Sequence, residues 1–286
     1  MFIVAEGIRF MIGIVIVSFR SDDRTVAFVR EELSRIRIPY RLVVVDNGGG
    51  KDSNLKDRLP DATVLRAENK GYAAGCNLGA RWLREHVAPD AILFSNNDIR
   101  FQSDDVVDVL YAALFRHDDV GAIGPCIVGK DGRRQSPEPY QGLWNRYVWM
   151  YLLTPFLSKE RKVEKFRLDY SEKASEGYHY KLMGSFLMVR ADAFFEAGCF
   201  DENTFLYAEE PILSERLSAI GKRCWFCPSV TIVHEHGAVI GSSYKRKEMD
   251  RMQFQSMAYY YRCYRKYPAW EISLVSMLYR LIQTVR

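Results

Sequence analysis

Residues 12–17 read IGIVIV, an apolar and mostly β-branched run with no polar alternation. A strand of this kind is buried on both faces, which happens where a parallel sheet is covered by helices on each side. The run is not isolated. Arg41–Val45 (RLVVV), Ala62–Leu65, Ala91–Phe94 (AILF) and Gly121–Val128 repeat the signal. Between them Arg24–Arg37, Gly71–Arg84 and Ser103–Phe115 carry helical spacing. Strand–helix–strand repetition predicts a right-handed, doubly wound α/β sheet with a mostly parallel centre. Ligands of such sheets bind at the carboxyl ends of the strands, so the polar residues there matter most.

The second half departs from this rhythm. Gly129–Tyr180 contains Pro137, Pro139 and Pro155, four aromatic residues between Trp144 and Tyr151, and a charged stretch from Lys159 to Lys173. It is predicted as a long, partly mobile insertion near the active site. Leu182–Val189 returns to strand, Glu209–Ile220 to helix, and Arg223–Phe226 and Thr231–Val233 to two short strands. The expected organisation is therefore a catalytic unit over 1–240 and a helical segment over 241–286.

Composition narrows the class. The 286 residues carry 40 Lys+Arg against 36 Asp+Glu, too even a balance to indicate nucleic acid. From Tyr244 to Arg286, however, nine basic and three acidic residues give a net of +6, interleaved with nine aromatics. That tail is either packed on the catalytic unit or drawn to an anionic membrane surface. The six cysteines have no framework spacing and read as reduced thiols of a cytoplasmic protein. Phe10–Phe19 resembles the apolar part of a signal segment, yet Ser-Phe-Arg-Ser-Asp-Asp interrupts it. No apolar run reaches the roughly 18 residues of a spanning helix.

Three polar clusters follow predicted strands: Ser18-Phe19, Asp46-Asn47 and Asn96-Asn97-Asp98. Each alone is the usual material of turns and helix caps. Three on one sheet edge suit a nucleotide, with Asp46 accepting from a base or ribose and Asp98 holding a divalent cation against a diphosphate. Glu68–Asn77 (ENKGYAAGCN) lies between them, and its small residues would let a helix N-terminus approach an anion. It is neither a dinucleotide fingerprint nor a P-loop. Glu209 and Glu210 start a helix, where acids are favourable in any protein. Cys224-Trp-Phe-Cys227, with His234 and His236 downstream, invites a zinc reading. The spacing fits poorly, and a strand would point the two cysteines to opposite faces.

Taken together, these segments resemble an inverting glycosyltransferase of family 2, with the fold called GT-A, and within it the bacterial rhamnosyltransferase-type members. The matching stretches are IVIVSF (14–19), LVVVDNGG (42–49), ENKGYAAGCN (68–77), LFSNND (93–98) and the long motif from Gly184 to Glu210, with Arg216 and Ile232-Val233-His234 beyond it. The likeness covers about 11–240, so residues 1–10 read as an extension. It implies that Ser18, Phe19 and Asp46 hold the nucleoside. Asn69, Gly71 and Asn77 would shape the donor pocket, with Asn96, Asn97 and Arg216 also contacting the donor. Asp98, His234 and His236 would serve the metal, Mg²⁺ or Mn²⁺. Glu210 stands at the usual position of the general base, with Glu209 beside it, although the family usually shows Glu-Asp there. The implied reaction moves a sugar, rhamnose from dTDP-rhamnose, to a saccharide or lipid-linked saccharide acceptor. A nucleotidyltransferase and a non-catalytic sugar-nucleotide-binding protein are the alternatives.

Overall fold

The computed structural model describes residues 11–48, 53–235 and 246–285. The predicted alternation produces β1 (Ile12–Ser18), α1 (Asp22–Glu31), β2 (Tyr40–Asn47), α2 (Leu55–Arg58), β3 (Thr63–Ala67), α3 (Tyr72–His86) and β4 (Ala91–Ser95). β1 pairs in parallel with both β2 and β4, and β2 with β3. The pleat sends Ile12, Ile14 and Ile16 into one core and Val15 into the other. That division is why the strand reads as a continuous apolar run. On the second face α3 lies unusually close. A Cβ on Gly79 would come within 2.6 Å of Val15 Cγ1, so a larger residue there would lift the helix off the sheet.

The remaining strands make the sheet mixed. β5 (Ile99–Phe101) follows β4 directly, and α4 (Val106–Leu114) leads to β6 (Val120–Gly129). After the insertion come β7 (Gly177–His179), β8 (Phe186–Arg190), α8 (Ala191–Glu196), α9 (Glu209–Ala219) and β9 (Arg223–His234). The order is β3-β2-β1-β4-β8-β6-β9-β5, with β7 also on β9. β8 is antiparallel to both its neighbours, β4 and β6, and β9 runs parallel to β6. Six of the nine strands thus share one direction, and β5, β7 and β8 oppose it.

Two expectations change here. β5 has no sequence signal, and the two short strands expected at 223–226 and 231–233 are one. β9 continues across Pro228 because its ladder with β6 jumps register, from Pro125↔Cys227 to Cys126↔Thr231. Proline has no N–H for a ladder, so the chain bulges past it and resumes. Cys224 and Cys227 face different cores, as a strand requires, and Ser214 and Ser229 are their polar neighbours. None of the six cysteines forms a disulfide.

The insertion folds as a π-helical turn (Asn145–Trp149), α5 (Met150–Leu153), α6 (Lys159–Phe166) and α7 (Tyr170–Lys173). Two long helices, Arg246–Cys263 and Ala269–Val285, close the described chain. Tyr260 and Tyr261 are almost wholly buried with Leu143, Tyr147, Ile212 and Val275, so the tail's aromatic residues form a third core against the insertion and α9. Among the described residues no helix is long and apolar enough to cross a membrane.

Candidate active site

A cleft of about 590 Å³ opens at the carboxyl ends of β1, β2 and β4, against the N-termini of α3 and α9. Phe19, Asn47, Asn69, Gly71, Asn96, Asn97, Asp98, Glu209, Glu210 and His234 all line it. His236 lies outside the described residues.

At the α3 end, Asn69 Oδ1 accepts from Gly71 N and from Asn47 Nδ2, both at 3.1 Å. Gly71 has φ +103°, and a Cβ there would come within 2.3 Å of the Phe205 carbonyl oxygen. Glycine is what allows Tyr72 N to donate to that oxygen at 3.0 Å. The loop before α9 is thereby docked on the start of α3.

Four of the expected donor residues stand behind the lining. Ser18 is fully buried and accepts from Thr25 Oγ1 at 2.9 Å. Asn97 Nδ2 reaches the same group, donating to Ser21 Oγ and Thr25 Oγ1 at 2.8 Å. Asp46 is buried with Arg66 Nε 4.0 Å away, while its neighbour Asn47 takes the cleft-facing place. Asn77 braces the backbone of Phe200, donating to its carbonyl at 2.9 Å and accepting from its N–H at 3.1 Å. Arg216 pairs with Asp201 at 3.0 Å and donates to the carbonyls of Gly198 and Cys199. Asp201 is a knot: it also accepts from Tyr259 OH at 3.0 Å, on the helix Arg246–Cys263, and from Tyr264 OH at 2.6 Å, just past its end. Burial works against its charge, but the bonds from Tyr264, Asn203 and Tyr259 outweigh it and hold the carboxyl below its ordinary value.

β5 explains how Asp98 meets His234. Ile99 is in register with His234, and Glu235 N donates to the Asp98 carbonyl at 2.9 Å. His234 Nε2 therefore lies 3.3 Å from Asp98 Oδ1, with its Nδ1 3.1 Å from Gln135 Oε1. With the proton on Nδ1, the Gln135 amide oxygen would accept it and Nε2 could turn its lone pair to a cation beside the carboxylate. Two ligands at right angles on a divalent ion would stand about 3 Å apart, so this pair fits one. The described residues hold no cluster of three or more His, Cys, Asp or Glu for a metal. A two-residue set leaves most positions to water and phosphate oxygens, the habit of Mg²⁺ at nucleotide sites.

The two glutamates differ sharply. Tyr207 and Ala208 both have left-handed backbone, φ +71° and +69°, an uncommon state for non-glycine residues. Two such residues in succession turn the chain abruptly into α9, aiming its first residues at the cleft. Glu209 is 5% exposed, and its Oε1 has no hydrogen-bond partner. Burial first, and the charge of Glu210 second, push its carboxyl up to about 8. Glu210 is half-buried, and its Oε1 accepts from Gly184 N at 3.0 Å. Close packing fixes that carboxylate, since a Cβ on Gly184 would lie 2.9 Å from Oε1.

Sequence reasoning missed the wall built by the insertion, Glu138, Tyr140, Arg146 and Tyr180, with Lys181 just beyond it. Lys181 pairs with Glu138 at 2.8 Å. These residues stand in no periodic pattern, so no signal pointed to them.

No family model matches the chain. It is 29% identical over 212 residues to the N-acetylglucosaminyl-diphospho-decaprenol L-rhamnosyltransferase of Mycobacterium tuberculosis, covering 68% of this chain and 66% of that one. It is 25% identical over 232 residues to rhamnosyltransferase WbbL of Escherichia coli, covering 78% and 83%. In structure it is similar to the mannosyltransferase PcManGT of Pyrobaculum calidifontis, solved with GDP-Man and Mn²⁺. That likeness has a TM-score of 0.57 at 12% identity, over 92% of this chain and 66% of that one. The chain has the GT-A fold, and in sequence it is similar to these rhamnosyltransferases. The match spans just under two thirds of the mycobacterial relative's own length. The chain thus has the fold its motifs imply, with helices on both sides of the sheet and a helical C-terminal appendage.

Proposed function

We propose that this protein is an inverting glycosyltransferase that moves rhamnose from dTDP-rhamnose to a saccharide or lipid-linked saccharide in cell-surface polysaccharide synthesis. The observation that carries the reading is a single cleft holding both an Asp98–His234 pair suited to a divalent cation and the carboxylate of Glu210. The sugar rests on the names of the mycobacterial and Escherichia coli relatives, and the nucleotide on the resemblance of the motifs.

Phe19, Asn47, Asn69, Gly71 and Asn96 face the donor, with the α3 N-terminus directed at its diphosphate. Ser18, Asp46, Asn77, Asn97 and Arg216 fix the segments that carry this lining. Glu210 is the base. Its Oε2 takes no hydrogen bond from a described residue and is left for the acceptor hydroxyl. That hydroxyl oxygen attacks the anomeric carbon while its proton passes to Glu210. The bond from the anomeric carbon to the diphosphate breaks, and the electron pair leaves with the nucleoside diphosphate. Asp98 and His234 would hold Mg²⁺ or Mn²⁺, whose charge would stabilise this leaving group. Glu209 is the weaker candidate for the base, because burial and the neighbouring Glu210 raise its carboxyl to about 8 and favour its protonated form at neutral pH.

We place the protein in the cytoplasm at the inner face of the membrane. Trp270, Met277 and Leu281 are exposed on the last helix beside Arg280, an arrangement suited to anionic lipid. Sedimentation with phosphatidylglycerol vesicles, weakening as salt rises, is the expected result. No sedimentation at low salt refutes that placement.

A thermal-shift panel of dTDP-, UDP- and GDP-sugars with Mg²⁺ or Mn²⁺ tests the donor, because bound ligand raises the melting midpoint by mass action. dTDP-rhamnose should give the largest shift and should be slowly hydrolysed. A larger shift with a UDP- or GDP-sugar overturns the donor assignment. Neither shift nor hydrolysis with any of them overturns the transferase reading.

A further inference from the structure

Behind His234 stands a residue that no motif singled out. Gln135 belongs to the insertion, and its Oε1 lies 3.1 Å from His234 Nδ1, the ring nitrogen turned away from Asp98. The backbone builds this contact. β6 ends at Gly129, in register with His234, and the chain then folds back along β6. Gly132 N donates to the Gly129 carbonyl and Gly129 N to the Arg133 carbonyl, both at 2.9 Å, and Gln135 N donates to the Ile127 carbonyl at 2.8 Å. From this return segment the Gln135 side chain extends over residue 129. A Cβ on Gly129 would stand 2.7 Å from Gln135 Nε2, so the missing side chain is the space the amide uses. Asp131 Oδ1 lies 2.8 Å from the same point, which places a carboxylate on the amide nitrogen's side and leaves the oxygen for the ring. A histidine that holds a cation through one nitrogen commonly commits the other to an acceptor, which fixes both its proton and the angle of the ring.

We propose that Gln135 is a positioning residue for the cation pair: its amide oxygen accepts the Nδ1 proton of His234 and so leaves Nε2 to share an ion with Asp98, with Gly129 as the gap that admits it. Without this acceptor the proton has a better place on Nε2, where Asp98 Oδ1 at 3.3 Å would take it and close the pair to a cation. The ion itself rests on the transferase reading above, whereas the tautomer is a property of the chain with no ion bound.

The test has two arms on the full chain. In the first, long-range proton–nitrogen NMR correlations of the metal-free protein at about pH 8.5, where an ordinary imidazole is neutral, read the tautomer of each of the five histidines. The His234 signals are those missing from His234→Gln. The proton should sit on Nδ1 in wild type and move to Nε2 in Gln135→Met, which keeps the length of the side chain and removes the acceptor. A wild-type proton on Nε2 overturns the proposal. In the second arm Mn²⁺ is titrated with and without equimolar dTDP and followed by electron paramagnetic resonance. Gln135→Met should weaken Mn²⁺ by about 10–100-fold, and Gly129→Ala should do the same by displacing the amide. Gln135→Glu, whose carboxylate also accepts, should keep wild-type affinity or exceed it. An unchanged melting midpoint of either weakened variant without metal separates positioning from folding. Wild-type Mn²⁺ affinity in both Gln135→Met and Gly129→Ala, or a loss in Gln135→Glu as large as in Gln135→Met, overturns the proposal while the Asp98–His234 pair stands. Mn²⁺ binding that Asp98→Ala does not weaken instead removes the ion from this cleft, and the role of Gln135 toward it falls too.

Discussion

Glu209→Gln removes a carboxyl that the fold keeps neutral, and its effect should depend on pH in a defined way. In the unfolded chain this group ionises near 4.5, and in the folded protein near 8, chiefly because it is buried and secondarily because Glu210 is adjacent. Below pH 4.5 both states hold the proton, and stability does not change with pH on its account. Between 4.5 and 8 the folded state holds a proton the unfolded state has lost, so stability falls as pH rises. Above 8 the full penalty is present and constant. The distance between the two values corresponds to roughly 5 kcal/mol at most. In a chain of this size each kcal/mol moves the melting midpoint by about 2 °C, so the group should cost the wild type at most about 8 °C between pH 5 and pH 9. Gln fills the same space and never ionises. Differential scanning calorimetry of both proteins at unit pH intervals should show the variant's advantage growing from pH 5 to 8 and then levelling. A difference that is flat, or that shrinks as pH rises, refutes the assignment of Glu209 as a neutral buried acid.

Glu210→Gln should bind donor as the wild type does and lose turnover by roughly a hundredfold or more, with Glu210→Asp retaining part of it; wild-type rates in Glu210→Gln alongside a dead Glu209→Gln would move the base by one residue. Gly184→Ala should also cut turnover at unchanged donor affinity, because the new methyl meets Glu210 Oε1 and Cγ at 2.9 and 3.0 Å. Asp98→Ala should abolish transfer, and excess chelator should do the same to wild type; full turnover under either condition removes the metal from the reaction. Tyr261→Ala empties a site in the third core and should destabilise by about 3–5 kcal/mol, read from a shifted denaturation midpoint.

The parallel block was legible because strands buried on both faces must be apolar at every position, so Ile12–Val17 and Arg41–Val45 stand out from any helix pattern. The ends of those strands could then be read as one edge. β5 was not legible, since three residues show no period, yet it is the strand that brings His234 to Asp98. The choice between Asp46 and Asn47 turned on which way the last pleat points, and neighbouring loops decide that. Arg146 and Lys181 were hidden for another reason. They reach the cleft from the insertion and the residue that follows it, whose order comes from packing with the distant Tyr260 and Tyr261, and short-range patterns do not record such contacts.

Asp201 ties three segments at one point: Arg216 on α9, Tyr259 and Tyr264 at the end of the helix Arg246–Cys263, and the loop that leads to Glu209 and Glu210. The tail is therefore not a module that can be exchanged freely. A chimera given a relative's C-terminal helices without matching hydroxyls would leave Asp201 to Arg216 and Asn203 alone and loosen the loop holding the base. Inheritance faces the same constraint. Changes in the helix that shapes one end of the cleft must be matched at Asp201 and Arg216, so the two halves of the site can diversify only together.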